Sequence, residues 1–430
     1  MKSEQIVIIG GGPSGLGCAD RLVQIQKKLA PFTIRVIDKN DRVGGLARTY
    51  TYKNLFFDIG PHRFYTKNNE VFRLWKRILG AKFFRVKRFT RIFYKNQFFM
   101  YPLSLSDMIR KLGFVELVRC FGWYIVAQVA LRKTTPKTFE EWIVKSFGKR
   151  LYEIFFKTYT EKIWGIPCSQ ISAKWAAQRI KNLNIPELIQ TLIFRRPPKA
   201  KSLVDYFYYP SRGSGFLYEE WAKQLKRRSV KITLNSKVVA LYHTQGKITE
   251  IEYTYRGTRT RVAVDYLFSS MPLTTLIASL SPKPPKRVLQ AAKALYYRDH
   301  ITVSLCVRGR SPFPDQWIYV HSPDVLMARV SNYENFKKTH SKDNATHAIA
   351  VEYFVFSRDA LWKMSDFQLI EFAKKELLTM NIMNNDDIVD GFVIRETESY
   401  PVYYVDHEKE FLILKGYVEK FYNLQSMGRG

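Results

Sequence analysis

Gly10, Gly12 and Gly15 are the residues whose type and spacing speak most directly to chemistry. They follow an apolar, β-branched run at 6–9 and open a helical pattern. In that context G-x-G-x-x-G binds a dinucleotide: the first glycine makes the tight turn, the second admits a pyrophosphate, and the third lets helix pack on strand. Backbone N–H groups at the helix start then face the phosphates. A second strand, residues 33–37, ends at Asp38, whose carboxylate can accept the hydroxyls of an adenosine ribose. Gly44 and Gly45, with Arg48 behind them, mark a further close approach of backbone that a plain NAD site does not need, and the pattern points to FAD.

Other chemistries find less support. Cys18, Cys120, Cys168 and Cys306 are scattered, with no C-x-x-C, so neither a zinc site nor a disulfide framework is expected and no metal is assigned. The first strand begins within a few residues of Met1, which leaves no room for a signal sequence; the expectation is a cytoplasmic protein, with a peripheral position on the inner face of a membrane as the alternative. A formal charge of +31 raises nucleic acid as a partner. The basic groups at 73–95, 195–201, 226–231 and 283–287 lie in different segments and no nucleic-acid motif accompanies them. A solvated basic surface is the leading reading, attraction to an anionic membrane the next, and nucleic acid the last. Such a field also suits a small anionic substrate. No oligomeric state follows.

The elements that must position these residues read as follows. Residues 112–131 form the longest apolar stretch, but Glu116, Arg119, Gly113 and Gly122 argue against a membrane span, and an internal helix is expected ahead of an interfacial one. Thr138 is a helix N-cap, with Glu141 completing a capping box. Residues 140–182 are largely helical and 195–199 break the pattern. Strands are expected at 230–234, 238–242, 247–255 and 260–268, then at 302–307, 317–320, 325–330 and 348–356, and a helix at 366–380 after an aspartate N-cap. The fold class is α/β. A Rossmann-like FAD-binding domain is assembled from residues 1–95, 202–275 and 396–430, with an inserted helical lobe at 96–201 and an antiparallel-sheet substrate domain at 276–395.

Several separated strings together resemble one family: Asp-Ile-Gly-Pro-His-Arg-Phe-Tyr at 58–65, Phe-Phe-Met-Tyr-Pro-Leu at 98–103, Gly-Lys-Arg-Leu-Tyr at 148–152, Tyr-Thr-Glu-Lys-Ile-Trp-Gly at 159–165 and Tyr-Pro-Val at 400–402. They are similar to the flavin-dependent UDP-galactopyranose mutases, within the wider group of amine oxidases, protoporphyrinogen oxidases and carotenoid desaturases, and the resemblance implies an FAD-binding domain of the GR2 flavoprotein type. The resemblance implies that reduced FAD attacks an anomeric carbon through N5, that UDP leaves, and that the sugar ring recloses at a different size. By position it implies Arg179 and Arg329 on the diphosphate, Tyr159 and Trp164 at the uracil and nucleotide, His62 beside the isoalloxazine, and Tyr353 and Tyr400 as phosphate-binding phenols. His62, Arg179 and Arg329 are the implied catalytic set, and a valine at the place of Val238 contacts adenine through its backbone in the wider group.

Three features depart from the mutases. The hairpin set at 229–270 is closer to oxidases and desaturases, the residues after Trp164 differ and run one longer, and Gly430 falls where the last flavin-contacting segment of these families begins, so weaker FAD retention is expected. An FAD-dependent oxidoreductase is therefore the second reading, with Cys168 or His62 available to it, and a noncatalytic basic binding protein the third.

Overall fold

The computed structural model describes residues 3–26, 31–103, 105–179, 205–337 and 346–428. The chain opens with strand β1 (Glu4–Ile9), helix α1 (Pro13–Ile25) and strand β2 (Phe32–Ile37). These strands sit in a five-stranded sheet in the order Leu424–Ser426, Tyr266–Ser269, β1, β2, Lys231–Thr233, every pairing parallel. A parallel sheet is covered on both faces, which explains the unbroken apolar run of β1. Side chains alternate across it: Ile6 and Ile8 pack on Leu16, Ala19 and Val23 of α1, while Val7 and Ile9 join Leu241, Ile251 and Val238 of a hairpin sheet on the other side.

That hairpin sheet consists of Ser236–Thr244, Lys247–Tyr255, Thr258–Ala263 and the short Leu280–Ser281. The single strand expected at 260–268 is two strands in two different sheets, Thr258–Ala263 and Tyr266–Ser269. Asp265 makes the change of sheet: its N–H donates to the Gln5 carbonyl and its carboxylate accepts the Gln5 N–H at 2.8 Å.

The helical lobe begins with α2 (Leu105–Leu112) and α3 (Phe114–Ala130), bent from one another by 117°. Thr138 caps Phe139–Phe147 with Glu141 closing the box. A helical run then passes from Lys149–Leu151 through a π-turn at Tyr152–Lys157 into α4 (Thr158–Trp164), and α5 (Ala173–Arg179) follows. The break at 195–199 lies outside the described residues. The internal-helix expectation for 112–131 is corrected. Cys120 and Ala127 of α3 are buried and Glu116 turns inward to Arg150, whereas Phe114, Val118 and Val129 face outward, Phe114 and Val129 each 76% exposed. Leu117 and Tyr124 pack inward beside Cys120 and Ala127, so α3 is apolar on both sides and one of them is left uncovered. Among the described residues no single helix is long and apolar enough to cross a membrane.

The remaining lobe is a seven-stranded sheet. It contains β3 (Tyr297–Arg308), β4 (Arg329–Asn332), β5 (Thr346–Val355) and β6 (Ile388–Pro401), in the order β6, β3, β5, β4, Trp317–Val320, Thr90–Tyr94, Gln97–Met100. Two of its strands thus come from near residue 95, the end of the first segment of the expected cofactor domain. The sheet is antiparallel except where Trp317–Val320 runs parallel to Thr90–Tyr94. Helix Asp366–Thr379 covers one face; its cap is Ser365 boxed with Gln368, in place of the expected aspartate. Cross-strand neighbours Ile318, Val330, Val351 and Val303 point to that covered face. By the period of two, Tyr319, Arg329, Glu352 and Thr302 form a polar row on the other.

Candidate active site

The glycine loop divides by physical cause. Gly10 stands at φ +101° and a Cβ there would lie 2.0 Å from Ser270 Oγ; a Cβ on Gly15 would lie 1.8 Å from the Gly10 carbonyl. Both are fixed as glycine by the protein itself. Gly12 is not. Its φ of −79° suits any residue, and a Cβ would meet nothing nearer than Gly45 Cα at 3.5 Å. Nothing in the polypeptide requires glycine there, and the bare backbone leaves room for a pyrophosphate. Gly12 also begins α1 with no side-chain cap and no acid in the first turn, so the helix N-terminus is free to meet an anion. The second glycine turn touches the first, Gly44 N–H donating to the Gly11 carbonyl at 2.9 Å.

The residues behind the loop also fit a bound dinucleotide. Asp38 Oδ2 accepts the Gly11 N–H at 2.6 Å and Oδ1 accepts both the backbone and side-chain N–H of Asn40, so the carboxylate supports the loop as well as closing β2. Val238 lies at a bulge beside this strand end, and Ser236 N–H donates to the Asp38 carbonyl. Arg48 is buried in an ion pair with Glu396, yet its Nε has no partner, a donor left over for a group in the cleft.

Arg329 lies on the polar row between Tyr319 and Glu352, its cross-strand neighbours. Its Nε donates to Glu352 Oε1 at 2.6 Å and its Nη2 to Oε2, while His300 Nε2 stands 3.1 Å from the same Oε2. Burial alone would raise the Glu352 carboxyl, but Arg329 and His300 hold it down at about 2. Gly60 packs over this pair, where a Cβ would come within 2.7 Å of Glu352 Oε2. The loop so anchored carries His62 against the backbone of Ile59 and of Leu46 in the second glycine turn. Burial and the Arg329 charge push His62 down to about 4, so it is neutral at neutral pH. Tyr159 and Tyr400 both lie within electrostatic reach of Arg329. Tyr159 stacks on His321 with ring centres 4.5 Å apart.

The Tyr-Thr-Glu-Lys-Ile-Trp-Gly string is mostly architecture. Lys162 Nζ donates to the carbonyls of Val320, Ser322 and Met327, clamping the connection, and the strand expected at 325–330 instead begins at Arg329 and ends at Asn332. Glu161 accepts the Cys168 N–H at 3.1 Å. Gly165 ends α4 at φ +66°, where a Cβ would strike the Arg298 guanidinium at 2.2 Å. Tyr159 is the member of the string that reaches the polar row.

Two cations that sequence reasoning missed stand nearby. Arg63 follows His62 and sits over the Trp317 ring; half-buried Arg88 sits over the Tyr101 ring, and burial and the Arg63 charge both lower its affinity for its proton. Neither is in an ion pair among the described residues. Tyr101 and Tyr319 act on Arg88 and on Tyr159 alike, which joins these cations to the Arg329 cluster. A cavity of about 470 Å³ lined by Tyr296, Tyr297, Asp299, Phe356, Ser357 and Arg358 opens elsewhere, at the start of β3.

The model of an NAD(P)-binding Rossmann-like domain matches residues 8–78. A Klebsiella pneumoniae protein described as "Probable UDP-galactopyranose mutase" is 29% identical over 181 residues, 40% of this chain and 44% of its own length. The dTDP-fucopyranose mutase of Escherichia coli is 25% identical over 173 residues, 39% of this chain and 44% of its own. The matched region thus spans less than half the length of these relatives. A crystal structure of reduced UDP-galactopyranose mutase superposes with a TM-score of 0.81 at 19% identity, over 99% of this chain and 90% of that one. Putrescine oxidase bound to putrescine gives 0.62 at 15% identity, over 99% and 93%. This is the fold of the flavoprotein mutases and oxidases.

Within that mutase–oxidase fold, the residues expected to act together separate. His62, Tyr159, Arg329 and Tyr400 converge, and the glycine loop, Asp38, Arg48 and Val238 gather at the strand ends. Trp164 is corrected to a core residue: it is 5% exposed and packs on Trp175 and Tyr403. Tyr353 is corrected likewise, since it is fully enclosed and its phenol donates to Glu376 at 3.0 Å, on the covered face of the sheet. Arg179 ends α5, and its side chain lies outside the described residues. Burial pushes the Cys168 thiol up to about 12, which removes it as a redox group.

Proposed function

We propose that this protein is an FAD-dependent enzyme that acts on a nucleotide-sugar in a redox-neutral rearrangement. One observation carries the reading: Arg63 and Arg88 make no ion pair among the described residues, Asp205 acting on Arg88 only at longer range, and they stand by the phenols of Tyr101 and Tyr319, which also act on Tyr159 of the cluster that holds His62 and Arg329. An anion that is also flat and hydroxylated would find charge, ring faces and hydrogen-bond donors together there. The similarity to UDP- and dTDP-sugar mutases supports the same class.

When bound, reduced flavin would supply the nucleophile for an anomeric carbon. Arg63 and Arg88 hold the diphosphate as it leaves and returns, since their charge is not already balanced. Arg329 spends two of its five N–H donors on Glu352 and contributes the remainder as hydrogen bonds with little net charge. Neutral His62 keeps positive charge away from the reacting face. Tyr159 offers its phenol toward Arg329 and the edge of its ring toward Tyr319.

The test is titration of the FAD-loaded, dithionite-reduced protein with UDP, dTDP and UDP-galactose, followed by chromatography of the sugar. Micromolar binding of a nucleoside diphosphate and a ring-isomerised product are expected. With FAD bound and no affinity for either diphosphate at millimolar concentration, the reading fails. An FAD-dependent oxidoreductase then takes its place, which the hairpin sheet and the fold shared with putrescine oxidase favour.

A further inference from the structure

Helix α3 is apolar well beyond the side that it buries. At about 100° per residue, Phe114, Val115, Val118, Ile125, Val126 and Val129 fall on one arc of roughly 120°. All six are exposed, as is Ile109 on α2. The opposite side of α3 carries buried Cys120 and Ala127, and Glu116 is drawn inward by Arg150. A helix that only completed a core would carry polar residues on its outer side. A contiguous apolar surface of this kind marks a place where something docks.

The charges around the face say what. Exposed Arg110 ends α2 and exposed Arg119 projects from α3, each beside an acid of its own helix, and Arg132 and Lys133 follow the end of α3. Arg132 and Lys133 make no ion pair among the described residues. Trp123 lies at the margin of the arc with Lys149 over its ring. Apolar centre, basic rim and a marginal tryptophan are the features of a helix lying in a lipid headgroup layer. The 17 residues of α3 span about 26 Å, less than a bilayer's hydrocarbon core, and its 117° bend from α2 suits lying flat. A second copy of the chain is disfavoured as occupant, because each carries +31. We infer that α2–α3 is a docking surface for an anionic lipid bilayer, on which the protein sits without spanning it.

The purified protein is floated with vesicles of phosphatidylcholine, with and without phosphatidylglycerol. Flotation is expected with the anionic vesicles, roughly tenfold weaker with neutral ones and reduced by salt. Val118→Asp together with Val129→Asp abolishes it while circular dichroism and thermal melting stay unchanged. Arg132→Ser with Lys133→Ser lowers it on anionic vesicles only, and Trp123→Phe removes a blue shift in fluorescence on binding. The inference is overturned if the wild-type chain does not float with anionic vesicles, or if the two aspartates leave flotation intact. It is also overturned if those aspartates instead turn a dimer into a monomer in gel filtration, which would assign the face to a second copy.

Discussion

Arg329 and Glu352 are cross-strand neighbours on β4 and β5 and close a two-point ion pair in which the carboxylate has no solvent exposure. Such a pair is costly to break from one side, because the remaining charge is stranded in low dielectric. Arg329→Ala and Glu352→Ala should each lower stability by about 3–5 kcal/mol in urea unfolding. Arg329→Met combined with Glu352→Leu should recover most of it. Single variants as stable as the parent would show the pair to be idle.

Stability should fall in acid in two limbs. Burial, with Arg329 beside one ring and Lys162 beside the other, holds His62 at about 4 and His321 at about 3, against an ordinary value of 6.5. Below pH 6.5 the unfolded chain therefore binds protons that the folded one refuses, so stability is complete above that pH and is lost as acid increases, at up to about 1.4 kcal/mol per pH unit for each ring. Glu352, held near 2 against 4.5, adds a second loss below pH 4.5. Melting temperature against pH measures both. Asp58, pushed up to about 6 by burial, works against the upper limb between pH 6 and 3.8. His62→Gln with His321→Gln should flatten the upper limb and Glu352→Gln the lower; an upper limb unaltered in the double histidine variant would contradict the assignment.

Gly12 and Gly15 should part company on substitution. Gly15→Ala drives a methyl into a backbone carbonyl and should destabilise by roughly 1–3 kcal/mol or more. Gly12→Ala has room and should melt with the parent, yet purify with less flavin. Flavin absorbance per protein, read beside the melting curve, separates the two. Full flavin content in Gly12→Ala would remove the pyrophosphate from that place.

Arg63→Ala and Arg88→Ala should each weaken UDP binding to the reduced, FAD-loaded protein by at least about tenfold, the scale of one charge-assisted hydrogen bond. Their unfolding free energies should stay within about 0.5 kcal/mol of the parent. Lysine should rescue poorly, lacking the planar fork. Isothermal titration decides it: undiminished affinity in both variants would move the anion elsewhere.

What could be read from the chain, and what could not, follows from the range of the forces involved. The glycine loop, β1, β2 and the Thr138–Glu141 box are local devices, and their residues reveal them. Trp164 and Tyr159 sit five residues apart on one helix, about 140° around its axis, so a string that names both cannot tell which faces the cleft. Glu352 was hidden as one carboxylate in the apolar run 348–356; a charge there is itself the signal, since an unpaired one could not be buried. Arg63 and Arg88 were indistinguishable among 69 basic residues until their missing partners were visible. The outward face of α3 could not be read either, because only tertiary packing decides which side of an apolar helix is covered.

The strand order of the five-stranded sheet sets a timetable. β1 is flanked by β2, close to it in sequence, and by Tyr266–Ser269, which in turn needs Leu424–Ser426. The glycine loop is formed by residues 10–15, yet Ser270, which packs against Gly10, follows some 260 residues later. During synthesis at about 5–20 residues per second, the nascent loop must wait tens of seconds for its wall. Pairing across such separations carries a large closure entropy and folds slowly. For that interval the apolar edge of β1 is an aggregation hazard, and a ligand that binds the completed loop would select, from all the collapsed chains, those that had threaded the sheet in the right order.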